Sequence, residues 1–87
     1  MAISNHTATT TSTQAVAENF GRSVLVITNT GANDVFMNIR GTAEVNKGIF
    51  LSASGGVYVM DSSTFSQGAI NVITAASTTN LAIYELS

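Results

Sequence analysis

Val24-Leu25-Val26-Ile27-Thr28-Asn29-Thr30-Gly31-Ala32-Asn33-Asp34-Val35-Phe36-Met37-Asn38-Ile39 is the stretch that decides the fold. Side chains alternate across an extended chain, so Val24, Val26 and Thr28 share one face and Leu25 and Ile27 the other. Both faces are apolar, which predicts a central strand. Residues 29–34 then supply Gly and Asn for positive φ, and the reading is a hairpin into the next strand. That strand alternates cleanly, with Val35, Met37 and Ile39 on one face and Phe36, Asn38 and Arg40 on the other.

Outward from this unit the same grammar repeats. Ala15-Val16-Ala17-Glu18 reads as a short strand before a turn at Asn19-Phe20-Gly21, and residues 41–48 read as a loop. Ile49-Phe50-Leu51 and Val57-Tyr58-Val59-Met60 are strands around a Gly55-Gly56 turn. Residues 61–68 form a longer loop with Phe65 as a plug beneath it, and residues 69–74 and 81–86 close the series as strands. Strands at intervals of roughly ten to twelve residues, with no helical period, indicate an all-β chain: a small antiparallel β-sandwich or barrel. Arg22, Asp34 and Asp61 beside the apolar runs read as charges that guard against aggregation.

Eighty-seven residues make one domain with one core. A chain this short removes only about 60% of its unfolded surface from water, and its folded surface should be roughly 4,900 Å². Small domains make up the shortfall with disulfides, a metal or association. With no Cys and a single His, association is what remains: a homo-oligomer, or docking on a larger body. Charged residues are 9% of the chain, against about 25% in ordinary soluble domains. A surface built from hydroxyls and amides tolerates close contact with another protein; a monomer with a Ser/Thr surface is the alternative.

Residues 1–14 carry one apolar anchor, Ile3, in a Thr-rich and nearly uncharged run. They read as an extended or flexible N-terminal arm preceding a sandwich domain at 15–87. Such a segment either stays disordered or orders on a neighbour, adding a strand through Thr7, Thr9 and Thr11 with Ile3 as its peg. Phe36, Phe50 and Tyr58 are the other candidate partner-binding residues, as aromatic anchors.

No catalytic, cofactor-binding or metal-ligating set emerges. The only His, His6, falls in the arm and reads as solvated, which leaves a serine nucleophile without a positioned base. Glu18, Asp34, Glu44, Asp61 and Glu85 are dispersed, lack calcium-loop spacing and read as solvated turn carboxylates. Arg22, Arg40 and Lys47 are too few for a nucleic-acid stripe in an acidic chain of pI near 4.9. No apolar run approaches the roughly 18 residues of a membrane span, and no basic start with an apolar core marks a secretory signal. The expectation is synthesis in a cytoplasm, with neither nucleic acid nor membrane as partner.

The segment from Arg22 to Met37 resembles the opening hairpin of small β-rich virion proteins of tailed bacteriophages. Lys47-Gly48-Ile49-Phe50-Leu51, Gly55-Gly56-Val57-Tyr58, Gly68-Ala69-Ile70-Asn71-Val72-Ile73-Thr74-Ala75 and Thr79-Asn80-Leu81-Ala82-Ile83-Tyr84-Glu85 continue the pattern. Asp34 after Asn33 and the Thr-rich N-terminus depart from it. The resemblance implies a non-enzymatic structural protein of the virion, a capsid cement or decoration subunit bound to the major capsid protein or another virion protein. The alternative is a tail- or head-fibre module contacting host polysaccharide, with Tyr58, Tyr84 and Phe65 stacking on sugars.

Overall fold

The computed structural model of the protein describes residues 2–60 and 66–86. It is all-β: β1 (Ala2–Ala8), β2 (Thr13–Val16), β3 (Val24–Asn29), β4 (Val35–Ile39), β5 (Ile49–Leu51), β6 (Val57–Met60), β7 (Ile70–Thr74) and β8 (Thr79–Leu86). These make two four-stranded antiparallel sheets packed face to face as a β-sandwich, β1-β8-β3-β6 (sheet A) against β2-β7-β4-β5 (sheet B). That strand order, alternating between the sheets from one strand to the next except at β4-β5, is the connectivity of an eight-stranded jelly roll.

Alternation along the inner strands places the core. Leu25 and Ile27 of β3 and Leu81 and Ile83 of β8 meet Val35 and Met37 of β4 and Ile70 and Val72 of β7, all buried. These four are the inner strands of their sheets, and β3 is central as expected, flanked by β8 and β6. The accessible surface, 4472 Å², is slightly below the roughly 4,900 Å² expected for this mass.

The hairpin expected at residues 29–34 is a different device. β3 and β4 lie in opposite sheets, so the segment carries the chain across the sandwich. Asn29, fully buried, is the reason. Its Nδ2 donates to Asn33 O (2.8 Å) and Leu51 O (3.1 Å), and its Oδ1 accepts from Gly31 N (3.1 Å) and Thr79 Oγ1 (3.0 Å). The amide uses all four of its hydrogen-bonding positions to lock the corner. Gly31 is required there by space, because a Cβ would collide with Thr79 Oγ1 and stand 2.8 Å from Asn80 N.

The N-terminal segment is extended, but its partner lies within the chain. Ala2–Ala8 pairs with β8 along its whole length, Ile3 opposite Tyr84 and Thr7 opposite Asn80, and Thr13–Val16 crosses to pair with β7. Ala8 is fully buried and Val16 nearly so, so the segment holds two core positions that a count of large apolar residues undervalues. The strand expected at Ala15–Glu18 therefore starts two residues earlier and carries a bulge between Gln14 and Val16.

Arg22 is not a surface guard. It is buried, with Nε donating to Glu85 Oε2 at 2.7 Å. Its remaining nitrogens donate to Ser66 O (2.8 Å), Gly68 O (3.0 Å) and Ala17 O (2.9 Å). Glu85, expected as a solvated carboxylate, is the other half of this pair. Asp34 accepts from Ala53 N at 2.8 Å, while Asp61 and Phe65 lie outside the described residues.

Candidate functional site

The two outward faces of the sandwich differ in chemistry. On sheet A the registers align Ile3 of β1, Tyr84 of β8, Val26 of β3 and Val59 of β6 in one row across all four strands. The next row is Asn5, Ala82, Thr28 and Val57. Ile3 is 78% exposed, and Val57 and Val59 are each more than half exposed. A shallow groove of about 200 Å³ runs between Ile3, Val26, Thr28, Ala82 and Tyr84. Among the described residues none on this face is charged, because Glu85, the one acidic residue of β8, turns the other way to meet Arg22.

Sheet B presents a smaller apolar row, Ile73, Phe36 and Phe50, aligned by the pairing of β7, β4 and β5. The rings of Phe36 and Phe50 are 5.3 Å apart between centroids and tilted by 41°, within the roughly 4.5–7 Å over which aromatic pairs attract. Phe50 is 53% exposed. Further along the same strands lies a polar depression of about 230 Å³ lined by Asn38, Thr42, Glu44, Lys47 and Gly48. Lys47 Nζ and Glu44 Oε1 pair there at 3.3 Å on open surface. Positive φ at Asn46 and Gly48 folds this loop back over the sheet.

The residues expected to bind a partner therefore divide. Phe36 and Phe50 are brought together on sheet B, whereas Ile3 and Thr7 lie on the outer face of sheet A. Thr9 and Thr11 belong to the turn between β1 and β2, where Thr9 Oγ1 accepts from Thr11 N (3.3 Å) and donates to Thr11 O (3.1 Å). Tyr58 is a correction: it stands opposite inward-facing Ile27 and packs on the core, its hydroxyl buried without a hydrogen-bond partner among the described residues. Tyr84, expected as an exposed ring, does lie in the outward row of sheet A, whereas Val26, Val59 and Ile73 were not singled out in the sequence as outward-facing residues. The signal was present, since Val57 and Val59 alternate with Tyr58 and Met60, but alternation alone does not say which set faces inward.

His6 is also unlike its expectation. It is half-buried, with Nε2 at 2.9 Å from Thr13 Oγ1 across the start of the two sheets. Burial lowers its pKa from the ordinary value of 6.5.

Among the described residues no three His, Cys, Asp or Glu side chains gather as a metal site, and no helix is long and apolar enough to cross a membrane. What the two faces offer is shape and apolar contact. Comparison with known protein families, with curated proteins and with solved structures returns no match.

Proposed function

We propose that this chain is a non-enzymatic structural subunit of a phage virion, a cement or decoration protein that binds the outside of the assembled head. The observation that carries the reading is the uncharged row Ile3, Tyr84, Val26 and Val59 across sheet A. An apolar sheet face without charged neighbours is poorly suited to solvent and well suited to a flat protein partner. The virion-protein resemblance of residues 22–86 supports the same reading, and the jelly-roll topology, frequent among capsid proteins, adds support by analogy.

The mechanism is selective contact. A subunit that binds only the closed lattice shifts assembly and disassembly equilibria toward the shell by mass action. At a typical interface of roughly 800 Å² per partner, the apolar row forms the core of the contact and Asn5, Thr7, Thr28 and Asn80 its polar rim. The test is co-sedimentation of the purified chain with purified heads. Saturable binding that is lost in Val59→Lys supports the reading; binding unaffected by that charge overturns this face as the contact.

A second reading, a fibre module contacting host polysaccharide, is favoured by one observation. Phe36 and Phe50 form an exposed aromatic platform beside the polar depression at Asn38, Thr42 and Glu44, a combination that suits a sugar ring. Its residues differ from those expected, because Tyr58 points inward and Phe65 lies outside the described residues. Saturable binding of a glycan, lost in Phe50→Ala, supports this reading.

A further inference from the structure

We infer that two copies of this chain join edge to edge along β1, pairing their Ala2–Ala8 strands antiparallel about a two-fold axis at Asn5. The argument comes from comparing the four sheet edges. A sheet edge is a row of unpaired N–H and C=O groups, and proteins blunt it with short strands, bulges, charges or proline. β5 has three residues and β6 four. β2 has four and is interrupted by a bulge. β1 alone has none of these protections: seven residues, no charge, no proline and an unbroken register against β8.

The occupant is a second copy because the edge is complementary to itself. Antiparallel pairing about a two-fold satisfies both copies with the same set of main-chain bonds. Asn5 is the middle residue of β1, so an axis there pairs all seven residues. It sets Asn5 against the second copy's Asn5 and Ile3 against the second copy's Thr7 on the outer face, with Ser4 opposite the second copy's His6 on the inner face. No like charges meet, which is the usual obstacle to a strand pairing with itself. Sheet A becomes a continuous eight-stranded sheet, and the two uncharged faces merge into one surface.

The contact is about 23 Å long and buries less than the roughly 800 Å² per partner of a tight complex, so dissociation in about the micromolar range is expected. This inference stands independently of shell binding and is tested on the isolated chain. Sedimentation equilibrium between about 10 and 500 µM, a range that brackets such a constant, should show the mass rising from 9.0 kDa toward twice that value. Asn5→Lys, at an exposed position, should hold the mass at monomer with unchanged thermal unfolding. In this cysteine-free chain, Asn5→Cys should form a disulfide dimer on oxidation, and Ser77→Cys, on an exposed turn away from β1, should not. A wild-type monomer throughout the range, or a dimer untouched by Asn5→Lys that fails to cross-link at residue 5, overturns the inference.

Discussion

Arg22 donates through Nε to Glu85 across 63 positions of sequence at 2.7 Å, with the arginine side chain fully buried and the glutamate 18% exposed. The pair ties the approach to β3 to the last strand, and three carbonyls complete the guanidinium shell. Removing one partner of a buried pair strands the other's charge and typically costs about 3–5 kcal/mol. Because Glu85 keeps some access to water, Arg22→Met is expected near the lower end, about 3 kcal/mol, a fall in Tm on the order of 12–24 °C for a domain of this size. Arg22→Met combined with Glu85→Leu should recover part of that loss in a double-mutant cycle by thermal denaturation. A cost below about 1 kcal/mol for the single change would show that the pair contributes no more than a surface one.

The corner at Asn29 gives a second expectation. Asn29→Ala removes the hydrogen bonds to Leu51 O and Thr79 Oγ1, which are buried, and to Asn33 O and Gly31 N, which are partly buried, and should cost about 2–4 kcal/mol by urea unfolding. Gly31→Ala should be similarly damaging for a steric reason. Adding Thr79→Ala to it should restore only part of the loss, since Asn80 N still stands 2.8 Å from the new Cβ.

Tyr58 should behave in the opposite way. Its hydroxyl is buried and unpaired among the described residues, so Tyr58→Phe removes a desolvated polar group and should stabilise the domain by up to about 1 kcal/mol. Destabilisation in the same thermal assay would mean that the hydroxyl does have a partner.

His6 sets a pH dependence with a definite sign. Its folded pKa lies below its unfolded value of about 6.5, so the unfolded chain binds the proton more readily. Its contribution to stability is complete above about pH 6.5 and is lost as pH falls from there through the lowered folded value. Urea midpoints at pH 8, 6.5 and 5 should decline for the wild type, and His6→Gln should flatten the part of the decline just below pH 6.5. A variant with the same slope as wild type would assign the acid sensitivity to the carboxylates.

The architecture was legible where pattern and burial coincide. The alternation in residues 24–28 and 35–39 placed two strands, the first as central and the second with Val35, Met37 and Ile39 inward, and the spacing of the remaining apolar runs indicated an all-β sandwich or barrel. Connectivity was not legible. Residues 29–34 have the composition of a hairpin turn, and only the tertiary partners of Asn29, Leu51 and Thr79, reveal a crossing between sheets. Arg22 looked like a surface charge because its partner lies 63 residues away. Residues 2–8 looked like an arm because their burial rests on small residues such as Ala8. Of the apolar residues on the outward faces, Phe36, Phe50, Ile3 and Tyr84 were singled out in the sequence, while their alignment with Val26 and Val59 in one row required the register of β1, β8, β3 and β6.

That same pairing alters what truncation should do. With Ala2–Ala8 along β8 in the chain's own sheet, deletion of residues 2–12 removes an edge strand and the buried Ala8, and should destabilise the domain as well as weaken docking. Val59→Lys separates the two effects, since Val59 is more than half exposed. Its thermal unfolding should stay within about 0.5 kcal/mol of wild type, the usual range for surface substitutions, while head binding is lost.

The most direct measurement is the copy number of this chain per purified virion, by quantitative mass spectrometry against the major capsid protein. A subunit that covers a symmetric shell should be present on the order of hundreds of copies. Roughly a dozen copies or fewer would contradict a shell role and favour the fibre reading.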